Sequence, residues 1–267
     1  GVLRFINFAH SDVFMVGAFI GYYAGEHLPH GTIGGGLVAM AAAMAGCAVL
    51  GILIERLVYR PLRTGPTLNV LITAIGMSLF LEYTGQLVFG ATPRAFPPIF
   101  PSRSFSLHGL IISMNQLVVI VVAGALMLVL QYAVFRTRIG TAMRAVALNP
   151  TAARLVGVNI DVVISFTFGL GSALAAAGGV LYAINYPSID PLMGVVPGLK
   201  AFVAAVLGGI GNIPGAALGA LILGLVETFV DGSRWSTYKD AIAFAILIGI
   251  LIFKPAGLLG RFTAEKV

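Results

Sequence analysis

The stretch IGGGLVAMAAAMAGCAVLGILI, residues Ile33–Ile54, contains no charged side chain. A helix that crosses a bilayer needs about 20 mostly apolar residues, and this run supplies them. The pattern recurs. Leu117–Phe135 is uncharged, Val162–Ile184 is uncharged and continues further, and Leu68–Gly90 carries one charge, Glu82. Val13–Gly25 and Ala241–Phe253 are shorter, and the second needs Ser236–Asp240 at the headgroup level. Over 267 residues the chain is 58% hydrophobic and 10% charged. A soluble domain carries about 25% charged residues, so the solvent for most of this surface is lipid. The expected fold is all-α: a polytopic bundle of about seven to eight spans, read as a single domain over residues 1–267. Because the chain opens at Gly1-Val2-Leu3-Arg4 rather than at Met, a further N-terminal helix is expected to precede it.

One apolar stretch does not fit a single span. Leu199–Phe229 as one helix would measure roughly 45 Å. Its middle reads Gly208-Gly209-Ile210-Gly211-Asn212-Ile213-Pro214-Gly215. Proline removes an amide donor and glycine weakens the helix on either side, so a broken hairpin of two short helices is expected. The basic residues agree with that reading. Alternating spans place Arg4, Arg56, Arg60, Arg63, Arg136, Arg138, Arg144 and Arg154 on one side, and Arg94, Arg103, Lys200, Arg234 and Lys239 on the other. A hairpin adds Lys254, Arg261 and Lys266 to the richer side. The positive-inside rule makes that side cytoplasmic.

The net charge of +6 is therefore read as topology signalling, and no nucleic-acid motif accompanies it. Cys47 is the single cysteine, which excludes an intrachain disulfide or a cysteine metal cluster. The histidines His10, His27, His30 and His108 form no HExxH-type set. No metal or cofactor is expected. No nucleophile elbow is present, and without GxxxxGK[ST] the chain does not hold ATP in the usual way. It does not read as an enzyme, and if ATP energises it, a partner supplies the hydrolysis.

Candidate functional residues fall in four places. Asn7, His10 and Asp12 lie in a polar island, Ile6–Asp12, just ahead of the first apolar run. Gly208, Gly209, Gly211, Asn212 and Pro214 lie at the break. Half-helix ends within a membrane can leave backbone groups free for a substrate, and the alternative is that these glycines only permit close packing. Glu82 and Glu227 lie inside apolar runs, where a charge is costly unless paired or hydrated. Either they sit near the outer interface, Glu227 beside Asp231, or they line a polar pathway. The fourth place is the connector 136–161. There Asn149 is placed to cap a short helix over Thr151–Leu155, Pro150 suits its first position and Gly157 its end. A short basic helix of this kind is a docking knob for a partner, or a plain connection.

The connector resembles the cytoplasmic coupling loop of ABC-importer permeases. More narrowly, the chain is similar to the high-affinity branched-chain amino-acid permease family. The resemblance is carried by Ile6–His10, Ile54–Arg63 (IERLVYRPLR), Ile72–Ser78 and Ala204–Ala216 (AAVLGGIGNIPGA), and it covers nearly the whole chain. Ser11 stands where the family usually has glycine, which puts a local bend there in question. The resemblance implies a homologous second permease subunit, two cytoplasmic ATP-binding subunits and a periplasmic binding protein that delivers leucine, isoleucine or valine. It implies an inner-membrane location and an ATPase contact through Arg144, Ala145, Ala147, Asn149, Pro150, Ala152, Ala153, Arg154 and Gly157. An ion-coupled amino-acid transporter, a membrane scaffold, and a permease for urea, amides or another amino acid are the alternatives.

Overall fold

The computed structural model describes residues 7–63, 65–107, 110–254 and 256–260. Arg4, Ile6, His108, Arg261 and Lys266, invoked above, lie outside them. Six helices among the described residues are long and apolar enough to cross a bilayer: Ile33–Leu62, Leu68–Phe89, Met114–Arg136, Ile160–Asn185, Ile213–Asp231 and Ser236–Phe253. With a less apolar first helix and one short apolar helix, this is the all-α membrane architecture that the composition calls for. The chain divides into two compact units between Val195 and Val196.

The larger unit is built on three helices, α1 (Ala9–Glu26), α2 (Ile33–Ile54) and a long helix α7 (Ile160–Asn185). Helix α1 is not apolar enough to stand among the six, yet it buries Val13, Met15, Ala18 and Phe19 completely or nearly so. Protein rather than lipid surrounds much of it, so it can carry polar groups. Small residues set the spacing. A Cβ on Gly17 would strike the Ala176 backbone, and one on Gly179 would strike the Phe14 carbonyl, so α1 and α7 cross at backbone contact. The polar island is not a preamble to the first span. His10, Ser11 and Asp12 form its first turn, and the Ser11 hydroxyl donates to the Phe8 carbonyl at 2.7 Å. No tight turn is formed at Ser11, which is why serine serves there.

Helix α2 does not stop at Ile54. It continues through one π-helical turn, Glu55–Tyr59, into Arg60–Leu62. The cause is Pro61. A proline in a helix lacks a donor and its ring clashes with the carbonyl four residues back, and a widened turn accommodates it without a break. Helix α3 (Thr67–Phe89) then packs on α1, and α4 (Met114–Arg136) follows an excursion that folds into two small antiparallel ladders. Strand β1 (Arg94–Ala95) pairs with β4 (Ser188–Ile189), and β2 (Ser104–Leu107) pairs with β3 (Leu110–Ser113). These ladders are additions to the all-α expectation. Ser113 and Gln116 close a capping box at the start of α4, so this helix starts ahead of the apolar run. Helix α4 buries little beyond Val118 and exposes Ile120, Val121, Leu128 and Val129, a surface suited to lipid.

The connector holds two helices where one was expected. Helix α5 (Arg138–Leu148) is amphipathic and buries Met143 and Val146, which pack with Ile160, Val163 and Ile164 of α7. Helix α6 (Pro150–Leu155) follows after one residue.

In the smaller unit α8 (Val195–Gly208), α9 (Ile213–Asp231) and α10 (Lys239–Phe253) pack around Val203, Ala204, Leu223 and Ala243. The break between α8 and α9 lies where the glycines placed it. Gly209 and Gly211 take φ of +105° and +92°, which disfavour any side chain. Asn212 caps α9 by accepting from the Gly215 amide at 3.1 Å, and Pro214 sits in its first turn.

Candidate functional site

In the connector, the Asn149 side chain accepts the Ala152 amide at 3.0 Å, with Pro150 at the first position of α6. At the other end Gly157 takes φ +85°. Its amide donates to the Arg154 carbonyl, and the Val158 amide donates to the Ala153 carbonyl, both at 3.0 Å. That pair of bonds is a Schellman motif. Six residues do not hold a helix alone, so these caps and the contact beneath fix it. The candidate residues divide by exposure. Asn149, Pro150, Ala152, Arg154 and Gly157 face outward, Arg144, Ala145 and Ala147 are half-buried, and Ala153 is buried. Ala153 therefore holds α6 down rather than presenting itself to a partner. Sequence reasoning missed Leu155 and Val156, which are 84% and 78% exposed beside Arg154. An apolar pair on a capped helix next to cations is a signal in hindsight, legible only once the helix faces are known.

Around α1, the Asp12 side chain is buried and accepts the Ser78 hydroxyl of α3. Glu82 stands one turn further along α3 than Ser78, half-buried. His10 lies over Gly171 of α7, where a Cβ would come within 3.3 Å of its ring. Asn7 accepts the Tyr59 hydroxyl at 2.7 Å.

The break between α8 and α9 has its backbone groups engaged. The Leu258 amide donates to the Leu207 carbonyl at 2.8 Å and the Leu259 amide to the Gly208 carbonyl at 3.1 Å. The Asn212 side-chain amide donates to the Leu259 carbonyl at 2.9 Å. Gly209 meets Gly257 and Gly260 backbone to backbone, and Gly208 meets Gly215. The segment after α10 returns and closes the break. Gly208 and Gly209 are closely packed, Gly211 is not, and the Leu207 and Gly208 carbonyls are taken by the chain itself.

Glu227 is paired differently from the expectation that set it beside Asp231. Lys200 of α8 reaches Glu227 of α9 at 3.0 Å and Asp240 of α10 at 2.8 Å, while Asp231 pairs with Lys239 at 3.3 Å. One cation thus ties three helices, and the cost of charge in an apolar run is met by pairing.

No group of three or more His, Cys, Asp or Glu among the described residues forms a metal site. Residues 1–251 match the family model described as branched-chain amino acid transport system / permease component. The high-affinity branched-chain amino acid transport system permease protein BraD of Pseudomonas aeruginosa is 41% identical over 275 residues, covering 100% of this chain and 90% of that protein. LivH of Escherichia coli K12, of the same description, is 41% identical over 278 residues, covering 100% and 89%. The ribose import permease protein RbsC of Escherichia coli K12 is 27% identical over 224 residues, covering 81% and 68%. No solved structure matches the chain. A bundle of apolar helices with this extent of likeness is a membrane transport subunit, not an enzyme. The chain belongs to the branched-chain amino acid permease family.

Proposed function

We propose that this chain is one permease subunit of an ATP-driven importer that carries branched-chain amino acids inward across the cell membrane. The observation that carries the reading is the 41% identity across the whole chain to permeases described as high-affinity branched-chain amino acid transporters. The connector supports it physically. Helix α6, held by its own caps, offers Arg154, Leu155 and Val156 on an outward face, with Asn149, Pro150, Ala152 and Gly157 around them and Arg144 beside. This face takes a cytoplasmic ATP-binding subunit. The assembly contains two such subunits, a second, homologous permease and a soluble binding protein that delivers cargo. Asn7, His10, Asp12 and Glu82, around the start of α1, contribute polar groups to the pathway. Transient substrate contacts suffice there, since selectivity can be set by the delivering protein. The positive-inside rule, applied to Arg56, Arg60, Arg63, Arg136, Arg138, Arg144 and Arg154, supports a cytoplasmic α2 end and connector, and Lys254 supports the same side for the C-terminal segment.

The test is uptake of radiolabelled leucine into proteoliposomes. Import is expected only with the ATP-binding subunits, ATP and the binding protein present. Uptake by the purified chain alone under a proton or sodium gradient would replace this reading with an ion-coupled one. Orientation is checked separately: Arg154→Cys is labelled by an impermeant thiol reagent only from the cytoplasmic side, the native Cys47 being buried. Labelling from outside would overturn the topology.

A further inference from the structure

The function above gives the stretch Glu55–Arg63 no role beyond the topology signal of its arginines. In an ideal α-helix, residues five apart lie about 140° around the axis from one another. The π turn at Glu55–Tyr59 cancels most of that angle and brings Arg60 onto the face of Glu55. Arg60 Nε donates to Glu55 Oε1 at 3.3 Å and Nη2 to Oε2 at 3.0 Å. Glu55 is fully buried, and its second partner comes from another helix: Ser165 Oγ of α7 donates to Oε2 at 2.6 Å and accepts from Arg60 Nη2 at 2.8 Å. One turn before Ser165, Asp161 pairs with Arg63. Asp161 stands in the first turn of α7, and Asn159, which caps that helix through the Asp161 and Val162 amides, is two residues beyond Gly157. On the other side, Tyr59 is buried and holds Asn7, whose carbonyl accepts the His10 amide in the first turn of α1.

We propose that Glu55, Arg60 and Ser165 are positioning residues for transport, forming the joint through which movement of α6 reaches α1. The inference rests on the importer reading above. From α6 to the first turn of α1 the path runs through the short backbone link Gly157–Asn159, the capped start of α7, an ion pair to Arg63, the end of α2 and the Tyr59–Asn7 hydrogen bond. The joint contains a π turn, the one place in α2 where backbone spacing departs from the α-helix and can change without unfolding the span. A rigid packed contact transmits a push, and an ion pair between buried Glu55 and half-buried Arg60, with a hydroxyl at its centre, also holds under pull.

The experiment compares leucine import and ATP hydrolysis in proteoliposomes holding the complete assembly. The variants are Ser165→Ala, Ser165→Thr and the double replacement Glu55→Leu/Arg60→Met, each normalised to inserted protein. Glu55 is buried and Arg60 half-buried, so exchanging both for apolar residues leaves no uncompensated buried charge, and the double variant separates folding from coupling. We expect hydrolysis within about twofold of wild type and leucine moved per ATP reduced about tenfold in Ser165→Ala and the double variant. Ser165→Thr keeps the hydroxyl and retains most of the coupling. Wild-type leucine per ATP in Ser165→Ala overturns the proposal, as does hydrolysis falling in step with import. Should the double variant not insert, Ser165→Ala alone decides, since it leaves the Glu55–Arg60 pair in place. A wild-type assembly that imports no leucine with ATP removes the importer reading instead, an outcome read before any variant is measured.

Discussion

Gly157 ends α6 with φ +85°, and a Cβ added there meets nothing within 4 Å. A replacement is therefore penalised by backbone conformation and not by crowding. An L-residue in the left-handed region costs about 1–2 kcal/mol, and asparagine and glycine are the residues that tolerate it. The alternative for Gly157→Ala is to abandon the left-handed residue. That releases the two 3.0 Å bonds to Ala153 and Arg154 and unwinds the last turn of a six-residue helix. A cost of 1–2 kcal/mol changes the population of the capped form by a factor of about 5–30. If docking needs the capped form, Gly157→Ala weakens capture of the ATP-binding subunits and lowers leucine import by a factor in that range once import is limited by assembly. Gly157→Asn should retain most of both. Gly157→Trp carries the same backbone penalty and adds bulk on the exposed side, so import should be abolished while insertion is unchanged. Copurification and import, each normalised to inserted protein, are the measurements. If alanine matches wild type, or alanine and asparagine fall equally, the Schellman cap is not what holds the docking face.

Further outcomes follow from the same geometry. Asn149→Ala removes the other cap and should cost about 1 kcal/mol, seen as faster trypsin cleavage at Arg154 in inside-out membranes; Asn149→Ser should protect. Lys200→Met leaves Glu227 and Asp240 without their cation. These carboxylates keep partial access to solvent, 23% and 48%, so the loss of stability is discounted to about 1 kcal/mol. A lower unfolding temperature in detergent, with Lys200→Arg unaffected, is the expected result, and an unchanged midpoint would dismiss the three-helix tie. Gly209→Ala, at φ +105° and against Gly260, should destabilise the smaller unit far more than Gly224→Ala, whose Cβ has open space; equal effects would deny that the returning segment closes the break.

Much of the helical layout was readable along the chain because lipid imposes a one-dimensional rule: a span must be apolar over a fixed length. Ile33–Ile54, the uncharged run before Arg136 and the Gly/Pro break all followed from that rule. The caps of α6 were equally readable, since Asn149, Pro150 and Gly157 act on backbone atoms within three residues. The reading weakened where polarity is satisfied by a neighbour rather than by position. The first helix looked short because His10, Ser11 and Asp12 are too polar for lipid; the fold admits Asp12 by packing α2, α3 and α7 around α1. Glu227 pointed toward nearby Asp231 in sequence, whereas its cation arrives from Lys200, a helix away.

The residues by themselves determined the solvent, the helical class, the place of the break and the capped connector, since each depends on local composition or on bonds to adjacent backbone. Only the tertiary structure decided which charges meet and which glycines touch. It joined Glu55 to Arg60 and Ser165, and Gly209 to Gly257 and Gly260. Electrostatic pairing and backbone contact act through space, and the separation along the chain of groups brought together in that way is set by how the helices pack.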